Sequence, residues 1–310
     1  MNTEWTILST LFGVALIAVA LRDIFQELFR PSGGGVLSVW LMRIVWKGLK
    51  PAALRRPTLL ELAGPVVLVA VIGTWVALVA VGWALVYWPH LPGKFLFSVG
   101  LDPSDNAGFV DALYLSLVTL ATLGYGEITP TSNWLRVLAP IEALIGFGIL
   151  TAALSWVLSI YPVLSHRRSV AREVTLLRES ERDEDAPTAI EHVSSLELTR
   201  ILGELASRMV MVEVDLIQFP IAYYFHDGVE RDALPLALPY LFHLAERVNG
   251  KEFSPEVRLR AKVLGGTIGD FSNRVASKAF LDLSGASTKE ILEAYARDHL
   301  YEPPEDACSS

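Results

Sequence analysis

Three uninterrupted apolar runs divide this chain. They are Trp5 to Leu21, Leu62 to Tyr87, which contains no charged residue, and Val137 to Ser165, whose only charge is Glu142. A helix needs about 20 apolar residues to cross a bilayer, so each run predicts a membrane-spanning helix. Between the second and third runs, Phe109 to Leu120 reads as an apolar helix too short to span. Val36 to Lys50 is amphipathic, with Arg43, Lys47 and Lys50 on one helical face and Trp40, Leu41, Ile44 and Val45 on the others. That pattern suits a helix lying in the membrane interface, either as a passive anchor or as a lever on the following span. The Pro-Ser-Gly-Gly-Gly stretch at 31–35 breaks any helix running on from the first span.

From His166 onward charged residues become frequent and the hydrophobic spacing stays helical. Ser194 with Glu197, and Ser287 with Glu290, fit capping boxes, and Ser254-Pro255 fits an N-cap followed by proline at the first helical position. Glu179 to Thr188 reads as an acidic, proline-containing linker, and the glycines around Leu264 to Gly269 as a helix end and turn. The expected fold is all-α. An N-terminal membrane helix occupies 1–30, a loop with the interfacial helix 31–58, a membrane module 59–165, and a helical soluble domain 166–310.

Composition agrees with membrane spans: 52% of the residues are hydrophobic, and the mean hydropathy is +0.41. The net charge of −8 gives no support for nucleic-acid binding. A single cysteine, Cys308, excludes an intrachain disulfide and a cysteine-rich metal site. Ala18-Val19-Ala20 imitates a signal-peptide cleavage site. Glu4 before the first run and Arg22 after it, however, favour a retained span with its N-terminus outside. Basic residues crowd the loop between the first two spans (Arg22, Arg30, Arg43, Lys47, Lys50, Arg55, Arg56) and follow the third (Arg167, Arg168, Arg172). The loop between the second and third spans has only Lys94 and Arg136, so it is expected outside and the C-terminal region cytoplasmic.

The candidate chemistry lies between the second and third spans, at Thr122-Leu123-Gly124-Tyr125-Gly126-Glu127. A polar, glycine-rich loop is tolerated at membrane depth only if protein buries it or it lines a water-filled path. Glycine permits positive φ, so successive carbonyls can point the same way. Carbonyl oxygens are hard ligands that replace the water shell of a monovalent cation, and the Thr122 hydroxyl adds another oxygen. The dipole of the short helix places partial negative charge at its C-terminal end, which favours a cation there. The third span carries Gly146 and Gly148, each open to a reading as a kink or as close helix packing.

Residues of about 60–165 resemble the pore module of the two-helix, pore-loop potassium channels of bacteria. The resemblance extends beyond the filter loop to Pro130, Trp134, Arg136 and Gly146. It implies a homotetramer in the bacterial inner (plasma) membrane, surrounded by lipid, that conducts K⁺ and uses no organic cofactor. It also implies K⁺ bound by the carbonyls of Thr122, Leu123, Gly124 and Tyr125 with the Thr122 hydroxyl, and support for that filter from Thr119, Gly126, Glu127 and Glu142. Gly146 becomes the gating hinge and Gly148 a packing glycine. Helical spacing from there places Phe147, Leu150, Leu154 and Leu158 on the inner pore wall. Glu142 is expected to bond Ser116 and Thr119 on the pore helix. The chain departs from the usual pattern at Leu123, Ala121, Glu127 and Val118, which leaves a weakly selective cation channel as an alternative.

No span carries arginines at every third position, so no voltage sensor is expected. No dinucleotide or EF-hand signature is present, and no ligand of the C-terminal domain can be named. A reading from another class is a membrane-tethered enzyme: His192, His226-Asp227 and Asp282 loosely resemble the ligand order of metal-dependent phosphohydrolases.

Overall fold

The computed structural model describes residues 3–30, 34–56, 58–181, 190 and 193–302. The fold is all-α, with one short strand pair. The helices are α1 (Thr3–Phe29), α2 (Val36–Ala53), α3 (Thr58–Glu61), α4 (Ala63–Tyr87), α5 (Phe109–Leu120), α6 (Asn133–Glu181), α7 (Ser195–Gln218), α8 (Leu234–Arg247), α9 (Pro255–Val275) and α10 (Thr288–Asp298). Helices α1, α4 and α6 are long and apolar enough to cross a membrane. His192, Cys308 and most of the expected acidic linker lie outside the described residues.

Two compact units are present. One comprises Met1–Arg30, Gly34–Ser38 and Val69–Leu158; the other comprises Pro31–Gly33, Val39–Leu68 and Ser159–Ser310. The expected boundary at residue 166 falls inside α6, which continues as unbroken helix to Glu181.

In the first unit α1 packs on α4 through small residues. A Cβ on Gly82 would sit 2.7 Å from Ile17 and 2.8 Å from the Gly13 carbonyl oxygen, so only glycine allows this approach. The Ser9 hydroxyl donates to the Leu85 carbonyl at 2.8 Å. Helix α1 outruns the predicted Leu21 by two turns because the carboxylates beyond it find partners. Asp23 accepts the Trp75 indole N–H at 2.9 Å, the Ser38 hydroxyl at 2.5 Å and the backbone N–H groups of Leu37 and Ser38 at 3.0 and 3.2 Å. Glu27 accepts the Gly35 N–H at 2.8 Å. Asp23 thus performs a remote N-capping task for the first turn of α2.

The second unit is a helical domain in which α7 lies along α9. Leu202, Leu205 and Met209 of α7 and Leu264, Ile268 and Phe271 of α9 are buried. The glycines of Leu264–Gly269 are interior to α9, not a helix end. The Ser287–Glu290 capping box is complete. At α7 only half of the expected box forms. Ser194 accepts the Glu197 N–H at 3.3 Å, while the Glu197 carboxylate turns to Arg200 at 2.5 Å.

Candidate functional site

Helix α5 ends at Leu120, and its last carbonyls would be left without intrahelical donors. The following loop supplies them. Ala121 N–H donates to Leu117 O, Thr122 N–H to Thr119 O and Leu123 N–H to Val118 O, each at 2.9 Å, and Gly124 N–H donates to Val118 O at 3.4 Å. The loop's donors are therefore turned back toward the helix. Its acceptors are not: among the described residues no backbone N–H reaches the carbonyls of residues 121–126.

Thr122, Gly124 and Gly126 take positive φ (58°, 53° and 87°), and the residues between them do not. Positive φ at every second residue is a pattern that lets successive carbonyls fall on one side. Glycine adopts the left-handed region freely, but a β-branched threonine does so at a cost of about 1–3 kcal/mol. Residues 121–126 are exposed on the single chain.

The way out of the loop is fastened by a strand pair that sequence patterning did not reveal. Strand β1 (Phe95–Phe97) pairs antiparallel with β2 (Ile128–Pro130), with Leu96 opposite Thr129. Ser98 N–H extends the ladder to Glu127 O at 2.8 Å. The Glu127 carboxylate accepts the Tyr114 hydroxyl of α5, tying loop and helix together. His90 sits edge-on to Trp134 at 4.9 Å, and Lys94 lies over the same ring. Runs of three residues are too short for a period-two pattern to identify.

Behind the loop, Glu142 is fully buried. It accepts the Ser116 hydroxyl at 2.5 Å, as anticipated, and the Tyr87 hydroxyl at 2.6 Å, which was not. Thr119 does not take part; its hydroxyl donates to Leu115 O at 2.7 Å within its own helix. One carboxylate thereby joins α4, α5 and α6.

Gly146 lies against the C-terminal end of α5: an added Cβ would meet the Leu120 carbonyl oxygen and sit 2.8 Å from its carbon. At Gly148 an added Cβ would meet nothing within 4 Å. Within the single chain the close backbone approach is therefore at Gly146, and α6 is continuous helix at both glycines. Phe147, Leu150, Leu154 and Leu158 form one exposed stripe (Leu150 is 67% exposed), whereas Ile149 and Ala153 are buried at 4% and 8%.

A second polar cluster lies in the C-terminal unit. Arg167, on the continuation of α6, donates to the carbonyls of Ala222 and Phe225 and to Asp227 at 2.7 Å; Arg168 donates to the other Asp227 oxygen at 2.7 Å. The Phe225–Gly228 segment also touches α3 and the first turn of α4, where Phe225 fills the space beside Gly64 and Glu61 abuts Gly228. His226 stacks on Tyr301 at 4.7 Å and lies parallel to His299 at 6.2 Å. With both oxygens of Asp227 held by arginines, the expected metal-binding use of His226-Asp227 is not what the geometry provides. No group of three potential metal ligands occurs among the described residues.

Burial pushes the Asp227 carboxyl up, but Arg167 and Arg168 hold it below the usual carboxylate range. Burial lowers His226, with Arg167 adding to the effect and Asp227 and Glu61 opposing it. His299 is pushed well down by burial, then by Arg167, His226 and Lys50, against Asp227.

Residues 67–161 match the family described as "Ion channel". Over 50 residues the chain is 46% identical to two-pore potassium channel 5 of Arabidopsis thaliana, covering 16% of this chain and 12% of that protein. Over 73 residues it is 40% identical to two pore potassium channel c of Oryza sativa subsp. japonica, covering 24% and 15% of the two chains. A longer likeness, 23% identity over 230 residues, joins it to the uncharacterized membrane protein YdjJ of Bacillus subtilis (strain 168), covering 74% of this chain and 66% of that one. The chain thus spans just under two thirds of the Bacillus relative and a small fraction of the plant channels. No solved structure matches. The class is an integral membrane protein with a segment similar to ion channels. The matched residues take in most of α4, all of α5 and α6 as far as Tyr161, and over this stretch the chain is similar to ion channels.

The histidine cluster yields a pH prediction. Both rings have folded-state pKa values below the ordinary 6.5, so the fold favours their neutral forms. Their contribution to stability is complete above pH 6.5 and falls as pH drops toward the lowered values. The protection of the 222–228 backbone against hydrogen exchange, taken relative to intrinsic exchange rates at each pH, is expected to fall between pH 7.5 and 5 in the purified protein. His299→Gln is expected to flatten that acid-dependent part.

Proposed function

We propose that four copies of this chain surround one axis and conduct K⁺ through a filter made of Thr122 to Gly126. The observation that carries the reading is the loop geometry, in which N–H groups bond back to the pore helix while a row of carbonyls stays without backbone donors. Carbonyls so left are costly in a bilayer unless they meet cations or water. One chain supplies a single row, and encircling an ion takes several. The likeness to plant potassium channels supports K⁺ as the permeant ion. Gly126 and Glu127 support the filter from its outer end, and Glu142, through Ser116 and Tyr87, from behind.

The stripe of Phe147, Leu150, Leu154 and Leu158 faces the conduction path, where large apolar side chains in four copies narrow and dewet it. Gly146, held against Leu120, fixes α6 to the filter support. Freedom to bend lies further on, at Leu158–Pro162: Pro162 has no N–H to offer the Leu158 carbonyl, and the boundary between the compact units falls between Leu158 and Ser159. The basic loops orient α2 and the C-terminal unit toward the cytoplasm, where that unit modulates the gate.

Purified protein in liposomes is expected to pass K⁺ and Rb⁺ over Na⁺ and to be blocked by Ba²⁺; equal K⁺ and Na⁺ permeability in bi-ionic recordings would refute the reading. Gly124→Ala is expected to abolish conduction or selectivity. The space around Gly124 would admit a Cβ, but its φ of +53° would not suit alanine.

Cysteines placed at Leu150, Leu154 and Leu158 in a Cys308→Ser background are expected to react with aqueous thiol reagents from the inside. Those at Ile149 and Ala153 are expected to react little. The reverse pattern would mean that α6 presents another face to the pore.

Glu142→Gln keeps the size and the hydrogen bonding, because its NH₂ can donate to the hydroxyl oxygen it faces, but removes the charge. Single-channel conductance is expected to hold while open probability changes. A large fall in inward conductance with unchanged gating would place the carboxylate in the ion path instead.

A further inference from the structure

Helix α2 has two unlike faces. One is committed to protein: Met42 and Trp46 are buried, and the Trp46 indole N–H donates to Asp298 at 2.9 Å. Lys50 pairs with the same aspartate. The other face carries Trp40 (58% exposed) and Ile44 (46%), and then Lys47. Just past the helix, Leu54, Arg55 and Arg56 are exposed as well.

Lys47, Arg55 and Arg56 have no ion pair among the described residues. No aspartate or glutamate occurs between Val36 and Leu60, and α4 begins a few residues after Arg56. A tryptophan and an isoleucine left in the open beside unpaired cations, in a chain that lives in a membrane, match the chemistry of a bilayer interface. The indole sits among headgroups and upper acyl chains, and the cations meet phosphates. A water-facing helix would carry polar residues at positions 40 and 44. A protein partner would need compensating carboxylates, whereas an anionic leaflet supplies negative charge along the whole length.

We propose that this outward face of α2 is a docking surface for anionic phospholipid, with Trp40 and Ile44 set into the leaflet and Lys47, Arg55 and Arg56 on lipid phosphates. The proposal requires the chain to be membrane-embedded and does not depend on what it conducts. Each cation near an anionic surface contributes about 1 kcal/mol, or about fivefold in apparent affinity, and salt screens the effect.

The test uses full-length protein in detergent, with W40C in a Cys308→Ser background carrying an environment-sensitive fluorophore. Brominated phosphatidylglycerol is titrated against brominated phosphatidylcholine. The expected result is quenching at lower phosphatidylglycerol concentration, weakened by salt and by about fivefold for each of K47Q, R55Q and R56Q. Thermal melting of the same variants without lipid should be unchanged, because none of these side chains is buried. Equal quenching by both lipids, untouched by the three substitutions, overturns the headgroup assignment. Absence of quenching by either lipid overturns docking and leaves the face to a protein partner. A fluorescence change produced by inorganic phosphate alone, at matched ionic strength, overturns a lipid as the source of the phosphate.

Discussion

A backbone carbonyl within an apolar layer has to be satisfied, and the structure around residues 121–126 follows from that constraint. A helix that stops at Leu120 exposes its last carbonyls; the loop's N–H groups satisfy them and leave the loop's own carbonyls without backbone donors among the described residues. Holding that arrangement requires left-handed conformations at Thr122, Gly124 and Gly126. It also needs anchors on either side, because a strained threonine would otherwise relax. The β1–β2 pair, the Tyr114–Glu127 bond and the Glu142 bridge are those anchors.

The same constraint governs the carboxylates of the membrane helices. Asp23 and Glu142 each sit where hydroxyl, indole or backbone donors converge, and each links elements distant in sequence. Removing such a group's partners would strand a buried polar side chain, which costs more than the net gain from forming its bonds. These residues therefore fix how helices meet: Asp23 joins α1, α4 and the start of α2, and Glu142 joins α4, α5 and α6. Glycines do complementary work at Gly13, Gly82 and Gly146, where backbones approach too closely for a Cβ.

In the C-terminal unit one short segment, Phe225 to Gly228, gathers contacts from the continuation of α6, from α3 and the first turn of α4 and from the residues after α10. The matched length of the Bacillus membrane protein exceeds the ion-channel match considerably, so the shared sequence reaches beyond the pore-loop module.

Three long apolar helices, the short helix at Phe109 to Leu120 to the residue, and the glycine-rich loop after it were legible in the sequence alone, because hydrophobic run length and glycine placement are local properties. It also marked Glu142 as a residue in need of a partner and identified Ser116 as one. It did not reveal Tyr87, the strand pair, Tyr114 as partner of Glu127, or the close approach of Gly146 to Leu120. Each of these depends on which distant backbone lies alongside, and helical periodicity says which face a residue shares but not what that face meets. The extension of α1 past Arg22 and of α6 past His166 was hidden for a related reason: charged residues read as helix ends until tertiary structure provides Ser38, Trp75 and Asp227 to receive them.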